Sequence, residues 1–133
     1  MDRDISTAGM LLRRAQRRNQ LALDSTLTRY GTNMAQWAVL KVMAEQPGLT
    51  GHALAAATLQ SDQALGTLVT PLVTRGLVAR SRTGNKLAHS LTEAGKELLA
   101  VTEATVTATL EQRMAALDTA EIDQLCALLE RIA

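Results

Sequence analysis

Apolar residues recur at three- and four-residue spacing along most of the chain and give way to strand-like runs in one place. Ile5, Ala8, Leu11, Leu12, Ala15, Ala22, Leu23 and Leu27 mark one face of a long helix over about residues 5–30, with Gly31 as its stop. Asn33-Met34-Ala35-Gln36 has the form of a capping box. Behind it Met34, Trp37, Leu40 and Ala44 set the buried face of a second helix that ends at Gln46-Pro47-Gly48.

Between Pro47 and Gly95 the elements become short. Thr50 to Ala57 reads as a brief helix, Thr58-Leu59-Gln60 as a tight turn, and Ser61 as the N-cap of a new helix whose inward stripe is Leu65, Leu68, Val69 and Leu72. Asp62, Gln63, Gly66, Thr67, Thr70, Pro71 and Thr74 are left facing outward. Pro71 removes one backbone hydrogen bond and predicts a kink near Thr67. Arg75-Gly76 ends this helix. Leu77-Val78-Ala79-Arg80, a Thr83-Gly84-Asn85 turn and Leu87-Ala88-His89-Ser90-Leu91 then supply a hairpin. A helix-turn-helix closed by a hairpin is a winged helix, a shape that lays one helix in a DNA major groove and sets the hairpin beside it.

After the hairpin, Thr92 caps a long helix carrying Leu98, Leu99, Val106, Leu110 and Met114. Asp118 restarts a last one striped by Ile122, Leu125, Leu129 and Ile132. A winged helix needs only the middle of the chain, so the striped helices at both ends are expected to form a shared dimer core. The predicted fold is mostly α with a small β-hairpin wing, in one domain spanning 1–133. About 33–96 form the winged helix-turn-helix, and about 1–31 and 97–133 are the dimerisation helices.

Composition narrows the partners. Hydrophobic residues make up 47%, but Phe is absent and Trp37 and Tyr30 are the only aromatics, which disfavours recognition by base stacking. The net charge of +1 conceals an asymmetry. Residues 1–30 carry six basic and three acidic side chains, 31–90 five and two, and 91–133 three and eight. The winged-helix segment is therefore basic and the C-terminal helices acidic, as expected when one face meets phosphate. The lone Cys126 excludes an internal disulfide and is expected to be a buried, inert thiol beside Leu125 and Leu129. No apolar run reaches the length of a membrane span, and a cytoplasmic protein is expected. His52 and His89 have no cluster of ligands at metal spacing, and no nucleophile sits beside a base, so neither a metal, a cofactor nor an enzyme is expected.

The order of Gln36-Trp37-Ala38-Val39-Leu40, Leu54-Ala55, Leu72 with Arg75-Gly76-Leu77-Val78, and Leu91-Thr92-Glu93-Ala94-Gly95 resembles the MarR family, the multiple-antibiotic-resistance regulators of bacteria. The similarity covers nearly the whole chain. It implies a homodimeric transcriptional regulator, a repressor in many members, that binds a pseudo-palindromic operator in double-stranded DNA. Many members are released by small phenolic or other lipophilic effectors, or by oxidation of a cysteine near the first helix, where this chain has none. The Asp-x-Arg motif usual near the family's wing tip is absent, its place taken by Arg82-Thr83-Gly84-Asn85-Lys86.

The expected DNA-binding residues are Ser61, Gln63, Thr67, Thr70, Arg75, Arg82 and Lys86. The Gln63 amide can pair bidentately with adenine, and Thr67 and Thr70 can touch a thymine methyl or a phosphate. Arg82 and Lys86 can meet phosphate or the minor groove. Arg17 and Trp37 are the effector candidates. Arg13, Arg14, Arg17 and Arg18 are best explained as a solvated face or by pairing with the acidic C-terminal helices, with binding of an anionic effector as the alternative. The alternative function is a winged-helix protein-interaction module with weak or lost DNA binding, which Gly66 and Pro71 inside the second helix of the pair and the short wing motivate; the outward face of that helix also has no Lys or Arg before Arg75.

Overall fold

A computed structural model describes residues 3–133 of the chain. Helix α1 (Ile5–Leu27) passes through a 3-10 turn, Thr28–Tyr30, to α2 (Met34–Glu45). Strand β1 (Leu49–Thr50) leads into α3 (Gly51–Ala57) and α4 (Asp62–Thr74). Strands β2 (Val78–Thr83) and β3 (Lys86–Leu91) follow, then α5 (Glu93–Arg113) and α6 (Thr119–Glu130).

Short polar side chains start the helices where the sequence placed them. Asn33, Thr50, Ser61, Thr92 and Asp118 each accept a hydrogen bond from the amide three residues on. Such a cap contributes about 1 kcal/mol by satisfying an amide that the helix leaves unpaired. Asp118 and Glu121 form the full reciprocal box. Asn33 forms half of one, because the Gln36 side chain accepts from Thr32 Oγ1 instead. The first helix ends at Leu27, the last residue of its apolar stripe and three residues short of the expected limit. The chain then leaves the 3-10 turn through Gly31 at φ 72°, a left-handed conformation that glycine adopts without a Cβ clash.

Helix α4 runs unbroken through Pro71. The expected kink does not interrupt it, because Pro71 and the Thr67 turn before it lie on the exposed face. There the carbonyl deprived of its amide partner is open to water. At the turn between α3 and α4, Leu59 stands at φ 56° with its side chain 95% exposed.

The three strands form an antiparallel sheet in the order β1-β3-β2. The hairpin is in register from Val78 opposite Leu91 to Thr83 opposite Lys86, and Leu49 of β1 pairs with His89. The main core lies between α2, α3, α4 and the base of the hairpin: Leu40, Met43, Leu54, Val69 and Leu72 are almost fully buried. The first turn of α5 docks on the end of α4. Thr92 Oγ1 donates to the Gly76 carbonyl at 2.6 Å, and Gly95 sits so close to Leu77 that an added Cβ would lie 2.2 Å from its carbonyl oxygen.

A second, smaller core joins α1 to α5 through Leu23, Leu27 and Val106. Beside it run hydroxyls rather than the leucines alone. Trp37 Nε1 donates to Thr102 Oγ1 at 3.2 Å, Tyr30 Oη meets Thr105 Oγ1 at 3.1 Å, and Thr26 Oγ1 meets Thr109 Oγ1 at 3.1 Å. Thr102 and Thr109 also donate to carbonyls one turn back in α5.

The outer half of α1 has no such cover, and α6 is only partly covered, with Ile122, Leu125 and Leu129 half-buried. Ile5, Met10, Leu11 and Leu12 are exposed, as are Leu128 and Ile132, and α6 buries no residue. Cys126, expected inside, is exposed. Periodicity identified the apolar face of α6 correctly, but within the single chain little covers that face.

Candidate nucleic-acid interface

Helix α4 presents Gln63, Thr67 and Thr70 to solvent on one face, while Leu65, Val69 and Leu72 anchor the other in the core. Ser61 is spent on helix initiation: its Oγ accepts from the Ala64 amide at 3.0 Å. Thr67 Oγ1 donates to the Gln63 carbonyl at 3.1 Å, so its hydroxyl proton is already engaged within the helix. The Gln63 amide has no partner among the described hydrogen bonds and is free to meet an incoming donor and acceptor together.

Between α4 and the wing runs a groove of about 590 Å³. Arg80, Arg82 and Lys86 line its wing side, and His52, Asp62 and Gly66 its helical side. Arg80 and Arg82 share a face of β2 because strand residues two apart point the same way, and the register sets them opposite His89 and Leu87. Among the described residues, Asp and Glu side chains meet basic ones only at His52–Asp62 and Lys96–Glu93, so all three groove cations keep their charge available. Asp62 is the groove's one carboxylate. His52 Nδ1 lies 3.1 and 3.3 Å from its two oxygens, which ties the first turn of α3 to that of α4.

His89 fastens the wing beneath this groove. Only 5% exposed, it donates from Nδ1 to the Leu49 carbonyl at 3.2 Å and accepts at Nε2 from Arg80 Nε at 3.3 Å. That pattern requires a neutral ring. Burial pushes its pKa below the ordinary histidine value, and the nearby Arg80 charge adds to the shift, against an opposing pull from the Leu49 carbonyl.

The remaining expected residues lie elsewhere. Arg75 caps the far end of α4, and its Nη1 donates to the Gly31 carbonyl at 2.6 Å. Trp37 lines a hollow of about 230 Å³ between α2 and α5, with Lys41, Lys96 and Glu103 at its rim. Arg17 lies in a separate groove on α1 with Arg13, Arg14, Arg18, Met10 and Leu21, so the two effector candidates do not share a cavity. Sequence reasoning missed Arg80 and His89 as groove residues. The signal was present in the two-residue spacing of Arg80 and Arg82, but it needed the hairpin register to be read.

Comparison with known proteins agrees with this geometry. A MarR family model matches residues 30–86. A probable transcriptional regulator from Pseudomonas aeruginosa is 28% identical with a TM-score of 0.86, over 94% of this chain and 96% of that one. A MarR family regulator from Rhodococcus is 25% identical with a TM-score of 0.91, over 98% and 96%. A Mycobacterium tuberculosis MarR family protein solved in complex with DNA is 26% identical with a TM-score of 0.82, over 99% of each chain. No curated protein sequence matches significantly. Among the described residues no helix is long and apolar enough to cross a membrane, and no group of His, Cys, Asp and Glu is arranged to hold a metal ion.

Proposed function

Because a MarR family model matches residues 30–86 and solved regulators of that kind share the fold, we propose that this chain is a MarR-type DNA-binding transcriptional regulator of the cytoplasm that acts as a homodimer, in the repressing sense, on a pseudo-palindromic operator. The observation that carries this reading is the pairing of an outward, largely uncharged face on α4 with the unpaired cations of the adjoining groove. Base edges are then read by Gln63, Thr67 and Thr70, while Arg82 and Lys86 of the wing, with Arg80 beneath, neutralise phosphate. Two-fold symmetry sets the two α4 helices about 34–36 Å apart, one turn of DNA. The similar Mycobacterium tuberculosis protein bound to DNA supports the reading.

That same protein has been solved with salicylic acid, at 25% identity to this chain. An anionic aromatic effector suits the hollow beside Trp37, whose indole offers a flat face and whose rim carries Lys41 and Lys96.

Selection of duplexes from a random pool, followed by fluorescence anisotropy at several salt concentrations, tests the function. The reading requires an inverted-repeat consensus and an affinity that falls steeply as salt rises. Binding no tighter to the selected duplex than to random DNA would leave the protein-interaction module, which the absence of Lys and Arg on the outward face of α4 favours.

A further inference from the structure

The Arg75 guanidinium stands at the wrong end of α4 for reading bases. Helices of this kind read DNA through their N-terminal residues, and at 1.5 Å per residue Arg75 lies about 18 Å along the axis from Gln63. Its charge is also already directed. Nη1 donates to the Gly31 carbonyl at 2.6 Å, short for a nitrogen donor and typical of a charge-assisted bond. Gly31 is the left-handed residue at which the chain leaves the α1 arm and enters the winged helix. Among the described residues this is the one hydrogen bond that joins the 28–33 connection to α4.

Both ends of the contact are held. The Arg75 amide donates to the Pro71 carbonyl, which fixes the residue to the last turn of α4. The Gly31 amide donates to Thr28 in the 3-10 turn, and the Met34 amide donates to Asp24 of α1 at 2.8 Å, so the connection is bound back to the arm. The fit is close. A Cβ on Gly31 would lie 3.0 Å from Arg75 Nη2.

We propose that Arg75 is a positioning residue: through the Gly31 carbonyl it sets the angle between the α1 arm and the recognition helix, and so the half-site spacing that the dimer accepts. This rests on the dimeric DNA-binding reading above. In a two-fold dimer the arms fix the frame, and any swing of α4 relative to its arm changes the separation of the two reading heads. One added base pair moves a half-site about 3.4 Å and turns it about 35°.

The test uses the duplex selected by the wild-type protein and a series in which one or two base pairs are added to or removed from its centre. Wild-type affinity is expected to fall on the order of tenfold per base pair of misfit. Arg75→Gln is expected to bring that penalty to on the order of twofold while leaving the slope of affinity against salt unchanged. A lost phosphate contact instead lowers the slope by about 1. Gly31→Ala keeps the Arg75 charge, places a methyl against it, and is expected to relax spacing in the same way. Unchanged spacing selectivity in both variants, or a slope reduced by about 1 in Arg75→Gln, would overturn the assignment, as would a wild-type protein indifferent to spacing. A wild-type protein that binds no selected duplex sinks the functional reading, and this assignment with it.

Discussion

His89 donates from Nδ1 to the Leu49 carbonyl at 3.2 Å, and this one side chain stitches the wing to the strand that precedes α3. The same ring accepts from Arg80 Nε, so it also fixes a cation at the edge of the proposed DNA groove. Sheet, reading head and groove therefore share one buried imidazole.

Stability is expected to depend on pH through that ring. Its folded pKa is lowered by burial and by Arg80, so the unfolded chain takes up the proton first as pH falls. The contribution is complete above about pH 6.5, the ordinary histidine value, and is lost as pH drops through the lower folded value. Melting temperature measured between pH 8 and pH 5 should decline on the acid side, and His89→Gln should flatten that decline. Equal acid sensitivity in the variant would remove His89 as its cause.

Gly95→Ala is expected to destabilise the protein by about 1–3 kcal/mol, the usual cost of overpacking. The new methyl meets the Leu77 carbonyl, a backbone atom that cannot rotate away. Urea denaturation reads the change, and a midpoint within error of wild type would show that α5 can shift to make room.

Leu59→Asn should act in the opposite direction. A leucine in the left-handed region costs about 1–2 kcal/mol, whereas Asn tolerates that backbone. Leu59 buries nothing, so no packing is lost in exchange. The urea midpoint should rise by the equivalent of about 1 kcal/mol.

At the proposed interface, Gln63→Ala is expected to relax selectivity at one base pair by about 1–3 kcal/mol, seen as a lost position in a repeated duplex selection. Replacing Arg82 and Lys86 together by Ala should weaken all duplexes alike and lower the salt slope by about 1 for each phosphate contact removed. Sequence selectivity lost along with the wing charges would contradict this division of labour.

Helix α6 requires a partner if its apolar residues are to leave water. Leu128 and Ile132 are 58% and 72% exposed in the single chain. Leu128→Glu with Ile132→Glu should convert a dimer to a monomer in sedimentation velocity. A wild type that sediments as a monomer at tens of micromolar would refute the assembly.

The helices and their starts were legible because a cap is a local event. Asn33, Ser61, Thr92 and Asp118 bond amides three residues away, so the signal and the structure occupy the same few positions. The inward stripe of α4 followed from its period for the same reason. What could not be read were contacts whose partner lies far along the chain. Strand β1 is two residues long and exists because His89 and Ala88 pair with it. The Arg75 bond reaches Gly31, 44 residues away, with no local mark in the sequence. Cys126 shows the complementary limit: period tells which face is apolar, not what is present to cover it.

The threonine hydroxyls along α5 give the joint between arm and reading head an unusual mechanical property. Interdigitated leucines act as detents, so sliding one helix past another forces side chains out of their slots. Thr102 and Thr109 behave differently, because each keeps a carbonyl of its own helix as a partner whatever happens across the seam. A small shear along α5 therefore leaves both threonine donors satisfied, and the groups that must find their bond again are the Trp37 indole and the Tyr30 hydroxyl across from them. The seam thus combines the packed Leu23, Leu27 and Val106 with polar contacts whose hydroxyls each hold a second bond in reserve.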